Sequence, residues 1–81
     1  MRFKSNEYII REGEFGDTFF IVTDGHARAV KKIDGKDKEV KKYSPGDYFG
    51  EIAILRKEPR QASVIATTAT TVVYLDKDMF D

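Results

Sequence analysis

The chain has 81 residues, with 14 Lys plus Arg against 14 Asp plus Glu, a formal net charge of zero and no cysteine. That is the size of one domain, 1–81. The even charge excludes the basic excess that nucleic-acid or membrane-surface binding needs, and the missing cysteines exclude a disulfide scaffold, a thiol nucleophile and a cysteine metal site.

His26 is the sole histidine, so no metal enzyme is expected. The apolar runs Phe19–Val22 and Ile52–Leu55 are too short for a membrane span or a signal-peptide core. A chain this short, with no disulfide, lies near the lower limit for a free-standing core and is expected to be a fragment of a larger protein.

Val, Ile and Thr supply 19 residues in short runs between turn residues, an all-β pattern. Tyr8 to Arg11 is predicted as a strand that stops at Gly13. Glu14 to Asp17 forms a turn, and Thr18 to Thr23 is an apolar strand buried on both faces. Asp24-Gly25 turns into a strand over His26 to Ile33, with Ala27 and Ala29 on one face and Val30 on the other. Asp34-Gly35 signals a hairpin, because both residues tolerate positive φ. A return strand runs from about Asp37 to Tyr43. A two-residue loop would pair Lys32 with Asp37, a three-residue loop Val30 with Val40, and the sequence does not choose between them. Ser44-Pro45-Gly46-Asp47 is a further turn. A last hairpin is expected from Ala62 to Thr67 and Thr71 to Leu75. Between these, Glu51 to Leu55 follows Gly50, precedes Pro59, and is predicted as a short helix. Many short strands around one short helix suggest a small barrel or jelly roll.

That helix carries the candidate chemistry. A helix start leaves backbone N–H groups unpaired, with partial positive charge, and a glycine at its mouth allows close approach of an anion. Arg60 offers a planar fork suited to phosphate or carboxylate. Glu51 can only accept hydrogen bonds when ionised, so beside an anion its use is to take hydroxyl protons. Together these groups suit a phosphate attached to a ribose. Each also has a plain structural reading: Arg60 as a solvated loop residue, Glu51 as a first-turn complement to the helix dipole.

The run Phe49 to Val64 resembles the phosphate-binding cassette of cyclic-nucleotide-binding domains. The run Ile9 to Gly25 resembles the glycine-punctuated first half of the same family. The resemblance implies an eight-stranded antiparallel β-roll with one cassette helix, the family's flanking helices falling beyond both ends. It implies that Glu51 accepts the ribose 2′-hydroxyl and Arg60 pairs with the exocyclic phosphate oxygens. Backbone N–H groups of Ala53 and Ala62, with Gly50 and Ile52 beside them, would complete these contacts. Val64 and Val40 would pack on the purine, and Gly13, Gly16 and Gly25 would serve as scaffold turns.

Two residues bear on which nucleotide. Gln61 follows the cassette arginine, where cyclic-AMP-type domains resemble each other in having Ala and many cyclic-GMP-type domains have Thr or Ser. Lys41 stands about where cyclic-GMP-dependent kinases carry an arginine toward guanine. Asp47 to Ala53 and Leu75-Asp76 resemble most the second domain of cyclic-AMP-dependent kinase regulatory subunits, so cyclic AMP is expected, with cyclic GMP as the alternative. The resemblance implies a cytoplasmic regulatory sensor partnered by a protein kinase catalytic subunit or domain, with no metal, cofactor, nucleic acid or membrane. No nucleophile–base set is visible, so no catalysis is expected. Alternatives of other classes are a ligand-free β-roll scaffold and a cupin-like enzyme. Intact Glu51 and Arg60 oppose the first, and the lack of a histidine cluster opposes the second. The basic run from Lys31 to Lys42 is interleaved with Asp34, Asp37 and Glu39 and is expected to be a solvated hairpin.

Overall fold

The computed structural model describes residues 1–76, as eight strands and one helix. In chain order they are β1 (Arg2–Phe3), β2 (Tyr8–Ile10), β3 (Thr18–Asp24), β4 (Ala27–Ile33), β5 (Lys36–Tyr43), β6 (Tyr48–Phe49), α1 (Glu51–Arg56), β7 (Ser63–Ala66) and β8 (Thr70–Asp76). All pairings are antiparallel. They form two four-stranded sheets, in the orders β1-β8-β3-β6 and β2-β7-β4-β5. This is the expected all-β roll. The two-residue strands β1 and β6 are additions, too short to carry an alternation of their own.

The core lies between the sheets. Phe20 and Val22 from β3, Val72 from β8, Ala27 and Ala29 from β4, Val64 from β7 and Phe49 from β6 meet there. Val22 and Val72, paired across β3 and β8, are essentially excluded from water. Burying a side chain of that size is worth roughly 1.5–3 kcal/mol. Phe20 and Phe49 stack with ring centroids 5.4 Å apart.

The β4–β5 hairpin takes the two-residue loop: Ile33 pairs with Lys36 and Lys32 with Asp37. Asp34 and Gly35 have φ of 53° and 78°, which fits the twist of the flanking strands. The register then slips, with Val30 opposite Glu39 but Ala29 opposite Lys41, so Val40 is the extra residue of a bulge. One expectation is corrected here. The segments β7 and β8 are not a hairpin, because β7 pairs with β2 and β4 while β8 pairs with β1 and β3. The intervening loop changes sheets instead. It is held by bonds from the Thr67 N–H to the His26 carbonyl (2.9 Å) and from the Thr70 hydroxyl to the same carbonyl (2.8 Å).

The Ser44–Asp47 turn has the expected form. The Asp47 N–H donates to the Ser44 carbonyl (3.0 Å), the Asp47 carboxylate accepts from the Ser44 N–H (2.8 Å), and Gly46 has φ 97°. It delivers β6 and then α1 to the rim of the roll.

Candidate functional site

The helix α1 starts abruptly. Gly50 is left-handed (φ 94°) and no side chain caps the helix, so first-turn N–H groups lack an intrahelical or side-chain partner. Glu51 is the first helical residue, and its Oε2 is buried with no hydrogen-bond partner. A buried carboxylate oxygen without a partner is costly, and its presence calls for a missing donor.

Arg60 is the second unusual residue, an arginine only 8% exposed. It is not free to wave in solvent. Nη1 donates to the Gly50 carbonyl (2.8 Å) and Nη2 to the Thr18 carbonyl (2.7 Å). Its backbone is pinned as well, since its N–H donates to the Glu14 carbonyl and its carbonyl accepts from Gly13 N–H, both 2.8 Å. Gly16 lies outside any turn and belongs to this cradle instead, where a Cβ would lie 2.5 Å from Nη2. Burial pushes the guanidinium pKa down and the charge of Asp17 pulls it back. The side chain remains a cation at all ordinary pH.

These groups line one cavity of about 110 Å³. Of the ten residues expected from the sequence, eight stand on its wall: Gly50, Glu51, Ile52, Ala53, Arg60, Gln61, Ala62 and Val64. Val40 and Lys41 do not. Val40 is the bulge residue and is 52% exposed, while the Lys41 ammonium lies 5.3 Å from the Tyr43 ring. The amide of Gln61 is also engaged, its Nε2 donating to Glu58 Oε2 at 3.0 Å. The sequence reading missed Ile10, Ala29 and Tyr43, which complete the wall. The alternation of Ala27 and Ala29 was a usable signal for Ala29, whereas nothing local marks Tyr43.

A larger open depression of about 460 Å³ lies on the other side of α1, lined by Phe15, Asp17, Lys57 and Glu58 among others. Its charged groups are of both signs and it holds no unpartnered buried polar atom. The buried, unpartnered carboxylate oxygen and the buried arginine both belong to the smaller cavity. Among the described residues no helix is long and apolar enough to cross a membrane.

A family model described as the cyclic nucleotide-binding domain matches residues 1–81. The chain belongs to that family. As a cyclic nucleotide-binding domain it is similar to the cAMP-dependent protein kinase regulatory subunit of Emericella nidulans, 45% identical over 80 residues, covering 99% of this chain and 19% of that protein. The cGMP-dependent protein kinase egl-4 of Caenorhabditis elegans is 37% identical over 81 residues, covering 96% of this chain and 10% of that protein. Among solved structures, the regulatory domain of Toxoplasma gondii PKA, crystallised with cAMP, superposes with a TM-score of 0.95 at 38% identity. It is covered over 31% of its length by 99% of this chain. The regulatory subunit of a cAMP-independent protein kinase A from Trypanosoma brucei superposes with a TM-score of 0.94 at 32% identity, with 30% of its length and 99% of this chain covered. The domain thus spans about a fifth of the kinase regulatory subunit it matches at 45% identity. Nearly the same backbone occurs in a domain crystallised with cAMP and in the regulatory subunit of a kinase described as cAMP-independent, so the backbone alone does not name the ligand.

Proposed function

We propose that this cyclic nucleotide-binding domain binds cAMP, with the phosphate and ribose held in the cavity between α1 and Arg60. The observation that carries this is the buried, unpartnered Oε2 of Glu51 sharing a cavity wall with a buried arginine. An anion would be repelled by Glu51 unless it also brought a hydroxyl donor, and a ribose phosphate brings both. The Arg60 guanidinium has five donors and spends two on carbonyls, so N–H groups remain for phosphate oxygens. The uncapped N–H groups of α1 and the backbone of Ala62 complete the anion site.

Ligand cavities commonly measure about 300–1,000 Å³, so 110 Å³ takes only the sugar and phosphate. The purine then lies outward on Val64. Lys41 pairs across the strands with the wall residue Ala29, which supports a position for it and the neighbouring Val40 near the base.

The domain acts as a cytoplasmic sensor without catalysis of its own. cAMP shifts it between two conformations to which a protein kinase catalytic subunit binds unequally, and only such differential affinity transmits a signal. A second reading, cGMP, is favoured by the cationic Lys41 near the base and by the similarity to a cGMP-dependent kinase. Competition titrations of the chain with cAMP, cGMP and non-cyclic AMP test both. cAMP is expected to bind most tightly. A cGMP preference installs the second reading, and equal, weak binding of all three refutes both.

A further inference from the structure

Tyr43 ends β5 and is 8% exposed, on the same cavity wall as Glu51. Its ring is fixed from two sides, with the Phe49 ring centroid 5.0 Å away and the Lys41 ammonium 5.3 Å from its own centroid. Among the described residues its hydroxyl makes no hydrogen bond, and neither does Glu51 Oε2. One small cavity therefore holds an unpartnered donor and an unpartnered acceptor that do not meet each other. Unlike Glu51 Oε2, the Tyr43 hydroxyl oxygen keeps some contact with solvent, so it is accessible to a ligand.

A ribose hydroxyl has one proton to give and two lone pairs to receive. A carboxylate can serve only the first half, and a phenol O–H can serve the second. We propose that Tyr43 is a specificity-determining residue, its hydroxyl donating to the 2′-oxygen of the bound nucleotide while Glu51 accepts the 2′-proton. The inference rests on the cyclic-nucleotide reading above and deepens it. The two residues together would select ribose over 2′-deoxyribose more strongly than Glu51 alone. Burial, then the charges of Glu51 and Asp47, push the phenol pKa up from its ordinary value, so it stays a donor at neutral pH.

Tyr43→Phe keeps the ring against Phe49 and removes only the hydroxyl. The dissociation constants of cAMP and 2′-deoxy-cAMP are measured on both proteins, with melting curves beside them. Loss of one neutral hydrogen bond predicts a rise of about two- to tenfold for cAMP and no change for the 2′-deoxy ligand. An unchanged ratio between the ligands overturns the role of Tyr43. In the unmodified chain labelled with carbon-13 at tyrosine Cζ, the Tyr43 signal should move with cAMP and much less with 2′-deoxy-cAMP. Equal movement with both overturns the proposal even if the variant folds poorly. If the unmodified chain binds neither cAMP nor cGMP, the functional reading itself has failed, a result separate from either of these.

Discussion

At the scale of single residues, Arg60 has two tasks that one substitution can separate. It bridges the carbonyls of Gly50 and Thr18, and it faces the cavity. Lysine keeps the charge but cannot span two carbonyls and a phosphate with one ammonium. Arg60→Lys should raise the cAMP dissociation constant about ten- to hundredfold, the worth of roughly 1.5–3 kcal/mol for a charge-assisted bond. It should also lower unfolding free energy by about 1–3 kcal/mol, since a buried carbonyl loses its donor. Calorimetric titration and urea unfolding read the two effects. Undiminished affinity would place the phosphate elsewhere. Gly16→Ala tests the same cradle from behind, because its Cβ would strike Nη2 and displace the fork. The expected outcome is weaker cAMP binding in the same titration, and unchanged affinity would mean that the guanidinium need not be held there. Gln61 bears on which nucleotide is bound, and its amide is bonded to Glu58. Gln61→Ala should therefore leave cAMP affinity nearly unchanged. A loss for cGMP alone, of about 0.5–1.5 kcal/mol, would show the amide leaving Glu58 to read guanine.

Elements differ in how much of them the sequence disclosed. Strands β3 and β4 were legible because Phe19 to Val22 and the Ala27/Ala29 alternation are strong local patterns. The Asp34-Gly35 turn was legible from residue type, but the strand register behind it was not. The bulge at Val40 shows only in the pairing of β5 with β4, which sets Tyr43 opposite Ala27, and no local residue pattern marks it. For the same reason Val40 left the cavity wall and Tyr43 entered it unannounced. The β7–β8 loop imitated a hairpin because a change of sheet and a tight return use similar Thr-rich chain. The cassette was legible as a motif, whereas the burial of Arg60 and the orphaned oxygen of Glu51 needed coordinates. The hairpin tip provides a control. A Cβ on Gly35 meets nothing, so Gly35→Ala costs only its left-handed backbone, about 1 kcal/mol. A melting temperature lower by about 4–8 °C with unchanged cAMP affinity is expected. A change in affinity would mean that the tip communicates with the cavity.

At the scale of the whole molecule, two sheets share one small core, and a wall of the cavity beside α1 is also part of it. Tyr43 belongs to both. Its folded-state pKa is raised above the ordinary 10.0, so folding favours the neutral phenol. That contribution is fully present below about pH 10, the unfolded value, and is lost as pH rises through the folded value. Urea unfolding at stepped pH should show a fall in stability on the alkaline side that is smaller in Tyr43→Phe. Identical profiles for the two proteins would remove Tyr43 from the alkaline transition. The register also sorts charge across the molecule. Lys31, Lys36, Lys38 and Lys41 share the face of Ala29, while Asp37 and Glu39 share the opposite one with Arg28, Lys32 and Lys42, so one face of the hairpin is basic and the other mixed. The central claim remains that a cyclic nucleotide enters between α1 and Arg60. A nitrogen-15 amide titration of the chain with cAMP tests it most directly. The account predicts saturable shifts at Glu51, Ile52, Ala53, Ala62 and the Arg60 side chain, with Gly35 unmoved. Shifts confined to Phe15, Asp17 and Lys57 across the helix, or no shifts at all, would contradict it.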